Sequence, residues 1–147
     1  MLVAMTDSVP SGPARLSIGE VAQRTGLSVH ALRFYEREGL LASPVQRGPD
    51  GRRAYGDDDL EWLELCVKLR SSGMPLAAIR RYAELVRQGA GNEHERLVLM
   101  RQHMERVTAQ IAALDACLEV IAFKVKLYEE SLATDHTDPI WAPAAQL

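Results

Sequence analysis

Arginine and tyrosine side chains are concentrated in two short stretches near the start of the chain. The stretch "LRFYER" holds Arg33, Tyr35 and Arg37, and the stretch "QRGPDGRRAY" ends on two arginines and a tyrosine. Guanidinium groups pair with phosphate in a forked geometry, and tyrosine hydroxyls can donate to phosphate oxygens. We therefore predict that these stretches contact a nucleic-acid backbone. The candidate contact residues are Ser17, Ser28, His30, Arg33, Tyr35, Arg37, Arg47, Arg52, Arg53 and Tyr55.

The charge of the chain is unevenly distributed. The net charge is −3, which by itself argues against a nucleic-acid partner. Residues 15–55, however, contain seven arginines against four acidic residues, whereas residues 92–147 contain five basic and nine acidic residues. A basic first region followed by an acidic last region predicts polyanion binding at the first. Aromatic residues make up only 5% of the chain, which favours a globular protein with long helices.

The basic stretches fall within a pattern of short helices. Ser17 and Ser28 stand where each can cap a helix. The core side of the second helix is Val29 and Leu32, and it continues either through the ring of Tyr35 or through the aliphatic stem of Glu36. Two short helices joined by "TGLS" predict a helix-turn-helix, in which the first residues of the second helix face base edges in a major groove.

A hairpin and two further helices are predicted next. The segment Pro49-Asp50-Gly51 is typical of a tight turn, and the arginines on either side of it make the hairpin a basic wing. A third helix is expected from Asp57 to about Ser71, and a fourth begins at Pro75. The glycine-rich stretch "QGAGN" then interrupts the chain before the last helix.

The last helix carries an unbroken heptad pattern of apolar residues. The spacing is 3, 4, 3, 4 from residue 97 to residue 132, roughly 54 Å at the rise of an α-helix. The N-terminal domain offers too little surface to cover so long a stripe, so we predict a homodimer through a coiled coil. The alternative is a helix packed back on its own domain. The predicted dimerisation residues are Leu97, Met100, Met104, Val107, Ile111, Leu114, Leu118, Ile121, Val125, Tyr128 and Leu132.

The sequences "IGEVAQRTGLSVHALRFYEREGLL", "RRAY" and "LRSSGMPLAAIRRY", followed by a long terminal helix, resemble the MerR family of bacterial transcription regulators. The resemblance covers about residues 16–132. It implies a mainly α fold, with a winged helix-turn-helix head and a small β-hairpin wing followed by a long C-terminal dimerisation helix in an antiparallel coiled coil. It also implies DNA-backbone contacts at Arg33, Tyr35, Arg53 and Tyr55 and a role in the wing for Arg47 and Arg52.

The resemblance further implies partners and a mechanism. The partners are double-stranded promoter DNA and a second copy of the chain, and RNA polymerase is affected indirectly. Family promoters have an overlong spacer, which the dimer bends and untwists so that the polymerase elements realign; many backbone contacts offset the cost of this deformation. A small-molecule or stress signal would act through the angle between the heads. Two alternatives stay open, a simple repressor without effector and a coiled-coil protein-interaction module.

These patterns divide the chain into four parts. They are a disordered lead-in (1–15), a winged helix-turn-helix domain (16–88), a coiled-coil helix (93–132) and a flexible tail (133–147). No signal peptide and no membrane-spanning run is predicted, so we expect a cytoplasmic protein without a membrane partner.

Cys66 and Cys117 are the candidate signal-sensing residues. One branch of the MerR family responds to aldehydes or nitrosative stress through a cysteine in the helix after the wing. Cys66 lies in the corresponding helix, but two positions from where that cysteine aligns, and Lys68 occupies the aligned place. Cys66 is also on the apolar side, where a buried structural thiol is commoner. Antiparallel pairing would bring two copies of Cys117 within about 8 Å along the helix axis. We predict no metal site, no cofactor and no enzymatic activity, because no ligand spacing and no nucleophile–base pair is present.

Overall fold

The structure, a computed structural model, describes residues 15–134. These residues are mainly helical, with a two-stranded antiparallel hairpin and a long helix at the end, so the predicted fold class is confirmed. Most of the predicted lead-in (1–15) and tail (133–147) lies outside the described residues. The elements in chain order are α1 (Ile18–Thr25), α2 (Val29–Arg37), β1 (Gln46–Arg47), β2 (Arg53–Ala54), α3 (Asp57–Ser71), α4 (Leu76–Arg87) and α5 (Glu93–Thr134).

Serine hydroxyls start the first two helices. Ser17 Oγ accepts a hydrogen bond from the backbone N–H of Glu20 at 3.2 Å, and Ser28 Oγ accepts one from the N–H of Ala31 at 3.0 Å. Each bond satisfies a donor that the first turn of a helix otherwise leaves unpaired. Between the helices, Gly26 has φ +76°, the left-handed conformation in which glycine commonly ends a helix. Local sequence thus defines the turn of the helix-turn-helix.

The hairpin between α2 and α3 is short and tightly closed. Arg47 pairs with Arg53 across the two strands, and the N–H of Gly48 donates to the carbonyl of Arg52 at 2.8 Å. Gly51 has φ +76°, so the turn requires a residue that adopts a left-handed conformation without strain. The turn therefore places arginines on both strands close to one another.

Helices α1 to α4 share one hydrophobic core. Val21 of α1, Leu32 of α2, Leu63 of α3 and Ile79 of α4 are each at most 1% exposed and belong to the same cluster. Burying an aliphatic side chain of this size stabilises a fold by about 1.5–3 kcal/mol. The core therefore fixes the orientation of α2 relative to the other three helices.

Polar contacts secure the exit of α2. Arg80 of α4 donates from Nε to the carbonyl of Glu38 at 2.8 Å and lies 3.2 Å from the carboxylate of the same residue. From α3, Trp62 Nε1 donates to the carbonyl of Leu40 at 2.9 Å. Two different helices thus hold the segment that follows α2.

Helix α5 contains 42 residues and divides between two compact units. Its first turns, through His103, belong to the same unit as α1 to α4. Here Met100 packs against the core, and His103 Nε2 lies 2.7 Å from Ser72 Oγ in the turn after α3. The compact N-terminal unit thus extends beyond the predicted end at residue 88. We call residues 15–103 the head and residues 104–134 the distal helix.

The distal helix leaves most of its large apolar side chains exposed. Ile111, Leu114, Leu118 and Ile121 are between 55% and 69% exposed. A contiguous apolar surface of this kind marks an interaction site more often than a free surface. Nevertheless, no helix within residues 15–134 combines the length and the apolar character that crossing a membrane requires.

Candidate nucleic-acid interface

A cleft of about 470 Å³ lies where α1, α2 and the hairpin meet. Backbone and side chains at the start of α1 form one part, and arginines of α2 and the hairpin form the rest. No acidic side chain is among the lining residues. We call this site the basic cleft; it is lined by Ser17, Ile18, Gly19, Arg33, Arg47, Gly51, Arg52 and Arg53.

Two backbone hydrogen bonds hold the start of α1 beside the hairpin. The N–H of Leu16 donates to the carbonyl of Tyr55 at 2.7 Å, and the N–H of Tyr55 donates back at 2.9 Å. Ser17 follows directly and caps α1, so the helix begins at the edge of the basic cleft. A helix N-terminus carries partial positive charge and unpaired N–H groups, which favour a bound anion. The helix start and the arginines therefore attract the same ligand class.

Three of the four arginines in the cleft are exposed. Within residues 15–134, Arg33, Arg47 and Arg52 have no carboxylate at salt-bridge distance. Arg47 donates from Nη1 to the carbonyl of Gly51 at 2.9 Å, which holds its side chain against the turn. Guanidinium groups without a carboxylate partner are suited to pair with phosphate oxygens.

Arg53 has a different role from its neighbours. Its Nε lies 2.6 Å from Oε2 of Glu36, and both side chains are less than one third exposed. This hydrogen bond raises the pKa of the Arg53 guanidinium, so the group stays protonated. The pair joins α2 to β2, because Glu36 belongs to the helix and Arg53 to the strand. Arg53 thus braces the wall of the basic cleft.

The structure corrects the orientation predicted for Tyr35 and Tyr55. Both rings lie in the core, at 6% and 1% exposed. The Tyr55 hydroxyl is buried without a hydrogen-bond partner, and burial raises the pKa of both hydroxyls. Tyr35 follows Leu32 by three residues and so shares its side of α2. The alternative reading, in which the Tyr35 ring continues the core side, is confirmed.

The remaining predicted contact residues lie outside the basic cleft. Ser28 and His30 are exposed at the start of α2. Arg37 lies at the other end of the helix, where its guanidinium is 5.7 Å from the Phe34 ring and its Nε 3.7 Å from Glu38. The structure thus brings together five of the ten predicted residues, namely Ser17, Arg33, Arg47, Arg52 and Arg53.

Three lining residues were not predicted from the sequence. Ile18 and Gly19 contribute at the first turn of α1, and Gly51 contributes in the hairpin turn. The capping position of Ser17 was the signal for the first two, because it marks where a helix start can receive an anion. No side-chain chemistry could have indicated Gly51.

The eleven predicted dimerisation residues do not share one environment. Met100 is half-buried against the core of the head, because the first turns of α5 pack there, and its role in dimerisation stays a prediction. Val107 is also half-buried. The other nine are between 46% and 85% exposed and form what we call the seam: Leu97, Met104, Ile111, Leu114, Leu118, Ile121, Val125, Tyr128 and Leu132.

The two cysteines differ in accessibility. Cys66 is 1% exposed in the core, and burial raises the pKa of its thiol to about 11. Thiols react as thiolates, so this environment is unsuited to a redox or aldehyde sensor. Cys117 is exposed on the distal helix. Its predicted sensing role stays a prediction.

Comparisons with known proteins agree with this geometry. The family model described as MerR HTH family regulatory protein matches residues 16–86, and the model described as MerR, DNA binding matches residues 60–122. An uncharacterized HTH-type transcriptional regulator of Haemophilus influenzae is 38% identical over 114 residues, which are 78% of this chain and 84% of that protein.

Solved structures give the same result. The crystal structure of HiNmlR, a MerR family regulator lacking the sensor domain, bound to promoter DNA, superposes with a TM-score of 0.73 at 36% identity. The match covers 82% of this chain and 94% of that one. A putative MerR family transcriptional regulator from Listeria monocytogenes gives a TM-score of 0.75 at 28% identity, over 82% of this chain and 90% of that one.

The chain therefore belongs to the MerR family of DNA-binding transcription regulators. The helix-turn-helix and the hairpin both lie within residues 16–86, which the first family model matches. The family and the relatives consist of regulators and not of enzymes.

Proposed function

We propose that the protein works as a homodimeric, sequence-specific regulator of a promoter, with the basic cleft as the site for the DNA backbone. The observation that carries this proposal is the convergence of four arginines and the start of α1 in one cleft. Support comes from HiNmlR, which is described as bound to promoter DNA and resembles this chain in structure. Phosphate contacts of this kind fix the position of a protein on a duplex.

Each site residue takes a part in this proposal. Arg33, Arg47 and Arg52 pair with phosphate oxygens, and the start of α1 accepts another phosphate. Ser28 and His30 stand at the exposed start of α2, where a recognition helix meets base edges. Three further predicted contacts act indirectly, since Arg53 braces α2 against the hairpin and the two tyrosines fill the core. Arg37 has no assigned part, because it lies outside the basic cleft.

The seam on α5 supplies the dimer. Its side chains are exposed along α5, and a second copy can cover them in an antiparallel coiled coil. The dimer carries two heads and so reads two half-sites of an inverted repeat. This assignment makes residues 16–88 the DNA-binding domain, with residues 93–132 as the dimerisation helix.

The regulator acts by deforming the spacer of its promoter. An overlong spacer misaligns the two elements that RNA polymerase recognises, and bending and untwisting it brings them back into alignment. The elastic cost of bending a short site is of order 1–6 kcal/mol, and numerous phosphate contacts offset it. A small-molecule or stress signal then shifts the balance between two dimer geometries.

Binding measurements test the role of the basic cleft. We expect Arg47→Ala to weaken binding to the promoter beside the protein's own gene and to other DNA sequences by a similar factor. The slope of log affinity against log salt concentration should become shallower by about 1. The matched control is Arg101→Ala, which removes an exposed arginine of α5 outside the cleft. Equal loss of affinity in both variants would contradict the assignment.

Chemical probing of the promoter tests the deformation. Bases near the centre of the spacer become reactive to single-strand-specific reagents in the activating state, because untwisting exposes them. A promoter whose spacer is shortened to the usual length should lose its dependence on the regulator. A bound site outside the spacer, without reactive bases, supports simple repression instead.

A further inference from the structure

A second apolar stripe runs along the distal helix apart from the seam. Its members again follow heptad spacing, and its two largest exposed residues, Val120 and Phe123, are 63% and 60% exposed. Leu127 is half-buried within the same stretch. We call this set the second stripe; it comprises Ala109, Ala113, Ala116, Val120, Phe123 and Leu127.

The second stripe and the seam lie on nearly opposite faces of the helix. Each member of the second stripe follows a heptad residue by two positions, as Val120 follows Leu118 and Phe123 follows Ile121. At about 100° per residue, two positions correspond to roughly 200° around the helix axis. One partner helix that covers the seam therefore leaves the second stripe exposed.

The order of side-chain sizes in the second stripe is self-complementary. Its first three members are alanines, and its last three are large. In an antiparallel pair of copies centred at Leu118, each alanine faces a large residue. The facing pairs are Ala109 with Leu127, Ala113 with Phe123 and Ala116 with Val120. Alternation of large and small residues across facing positions is how helix interfaces fill space.

Other antiparallel registers of the second stripe lose this match. Sliding one copy by a heptad in one direction places Arg106 opposite Phe123, and sliding it in the other direction places Glu130 opposite Ala113. A charged side chain in an apolar layer is costly. Only the register centred at Leu118 pairs all six residues, so the pattern specifies one arrangement.

We propose that the second stripe is a self-association surface, on which the same stripe of a copy in another dimer docks antiparallel over roughly 27 Å of helix. The contact is isologous, since each copy offers the same residues. The inference rests on the dimer in the proposed function, which uses the seam. Each dimer offers one second stripe on either side, so association proceeds from dimers to tetramers and larger even-numbered species. A tetramer carries four heads and can hold two operators together.

Sedimentation velocity on the full chain over a wide range of concentrations tests this inference. We expect the wild-type protein to pass from dimer to tetramer and larger species as concentration rises, whereas Phe123→Glu stays a dimer. The control Gln102→Glu adds the same charge on the same face of α5 before the second stripe begins, and should associate like the wild type. A wild-type protein that is dimeric at every concentration overturns the inference, as does equal association of Phe123→Glu. If the wild-type protein is a monomer at every concentration, the proposed dimerisation through the seam is wrong as well.

A size swap separates specific pairing from general adhesion of apolar surface. Ala116→Val crowds its layer and Val120→Ala empties it, so each should weaken tetramer formation about tenfold or more. The double variant restores one large and one small residue in that layer and should recover association. If Ala116→Val strengthens association, or the double variant fails to recover it while circular dichroism shows an intact helix, the proposed register is wrong.

Discussion

The head and the distal helix treat apolar side chains in opposite ways. In the head, Leu63 of α3 is fully buried among residues of the same chain, whereas Leu118 of the distal helix is 61% exposed. Both leucines belong to helices with apolar periodicity, so periodicity alone does not reveal what covers a residue. The head covers its apolar side chains itself, whereas in the proposed dimer a second chain covers those of the distal helix.

The largest expected effect is loss of stability in the head. Leu63→Ala should lower the free energy of unfolding of the head by about 2–5 kcal/mol, because it leaves a cavity in a core that cannot fully collapse. The measurement is denaturant unfolding followed by Trp62 fluorescence in a Trp141→Phe background.

The matched substitution in the distal helix is Leu118→Ala. It should leave the unfolding of the head unchanged within about 0.5 kcal/mol while weakening the dimer. A similar loss in the free energy of unfolding of the head in both variants would show that the head does not unfold independently of the distal helix.

The next effect concerns the brace between α2 and the hairpin. Glu36→Gln removes the charge that faces Arg53 but keeps a hydrogen-bond acceptor, so we expect a loss of about 1 kcal/mol in the free energy of unfolding. DNA affinity should not fall, because loss of the Glu36 carboxylate makes the surroundings of the basic cleft more positive. As a control, Glu130→Gln breaks an exposed pair with Lys126 on the distal helix and should have no measurable effect on the head.

A smaller effect is expected in alkaline solution. Burial raises the pKa of the Cys66 thiol from 9.0 to about 11, so the unfolded chain loses this proton at a lower pH than the folded one. Stability from this group is therefore complete below pH 9.0 and is lost as the pH rises toward about 11. The raised pKa values of Tyr35 and Tyr55 act in the same direction.

Two cysteine variants isolate the thiol in that measurement. The slope of unfolding free energy against pH should become shallower in Cys66→Ala and stay unchanged in Cys117→Ala, whose thiol is exposed. Urea unfolding at a series of alkaline pH values gives the slope. An identical slope in the wild type and Cys66→Ala would contradict the buried environment of this thiol.

Much of the fold could be predicted from local signals. Ser17, Ser28 and Gly26 mark the ends of α1 and α2 through capping chemistry, which depends on neighbours in sequence. The turn at Gly51 and the heptad pattern of α5 are likewise local. These features carried the prediction of the helix-turn-helix, the hairpin and the long helix.

The site residues were harder to predict because their environment depends on tertiary packing. Tyr35 and Tyr55 have hydroxyls suited to phosphate, but packing of α1 to α3 places both rings in the core. Met100 fits the heptad pattern, yet the first turns of α5 rest on the head. Gly19 and Gly51 line the basic cleft through position alone. Side-chain type indicated the chemistry, and only the fold showed which side chains can perform it.

The mass of the protein–DNA complex tests the central claim most directly. We expect native mass spectrometry at low protein concentration to show two chains on a duplex that contains the inverted repeat. Leu118→Glu, which places a charge in the middle of the seam, should abolish that species while the head stays folded. The account would be contradicted if the wild-type complex held one chain per duplex and the Leu118→Glu variant bound the same duplex equally tightly.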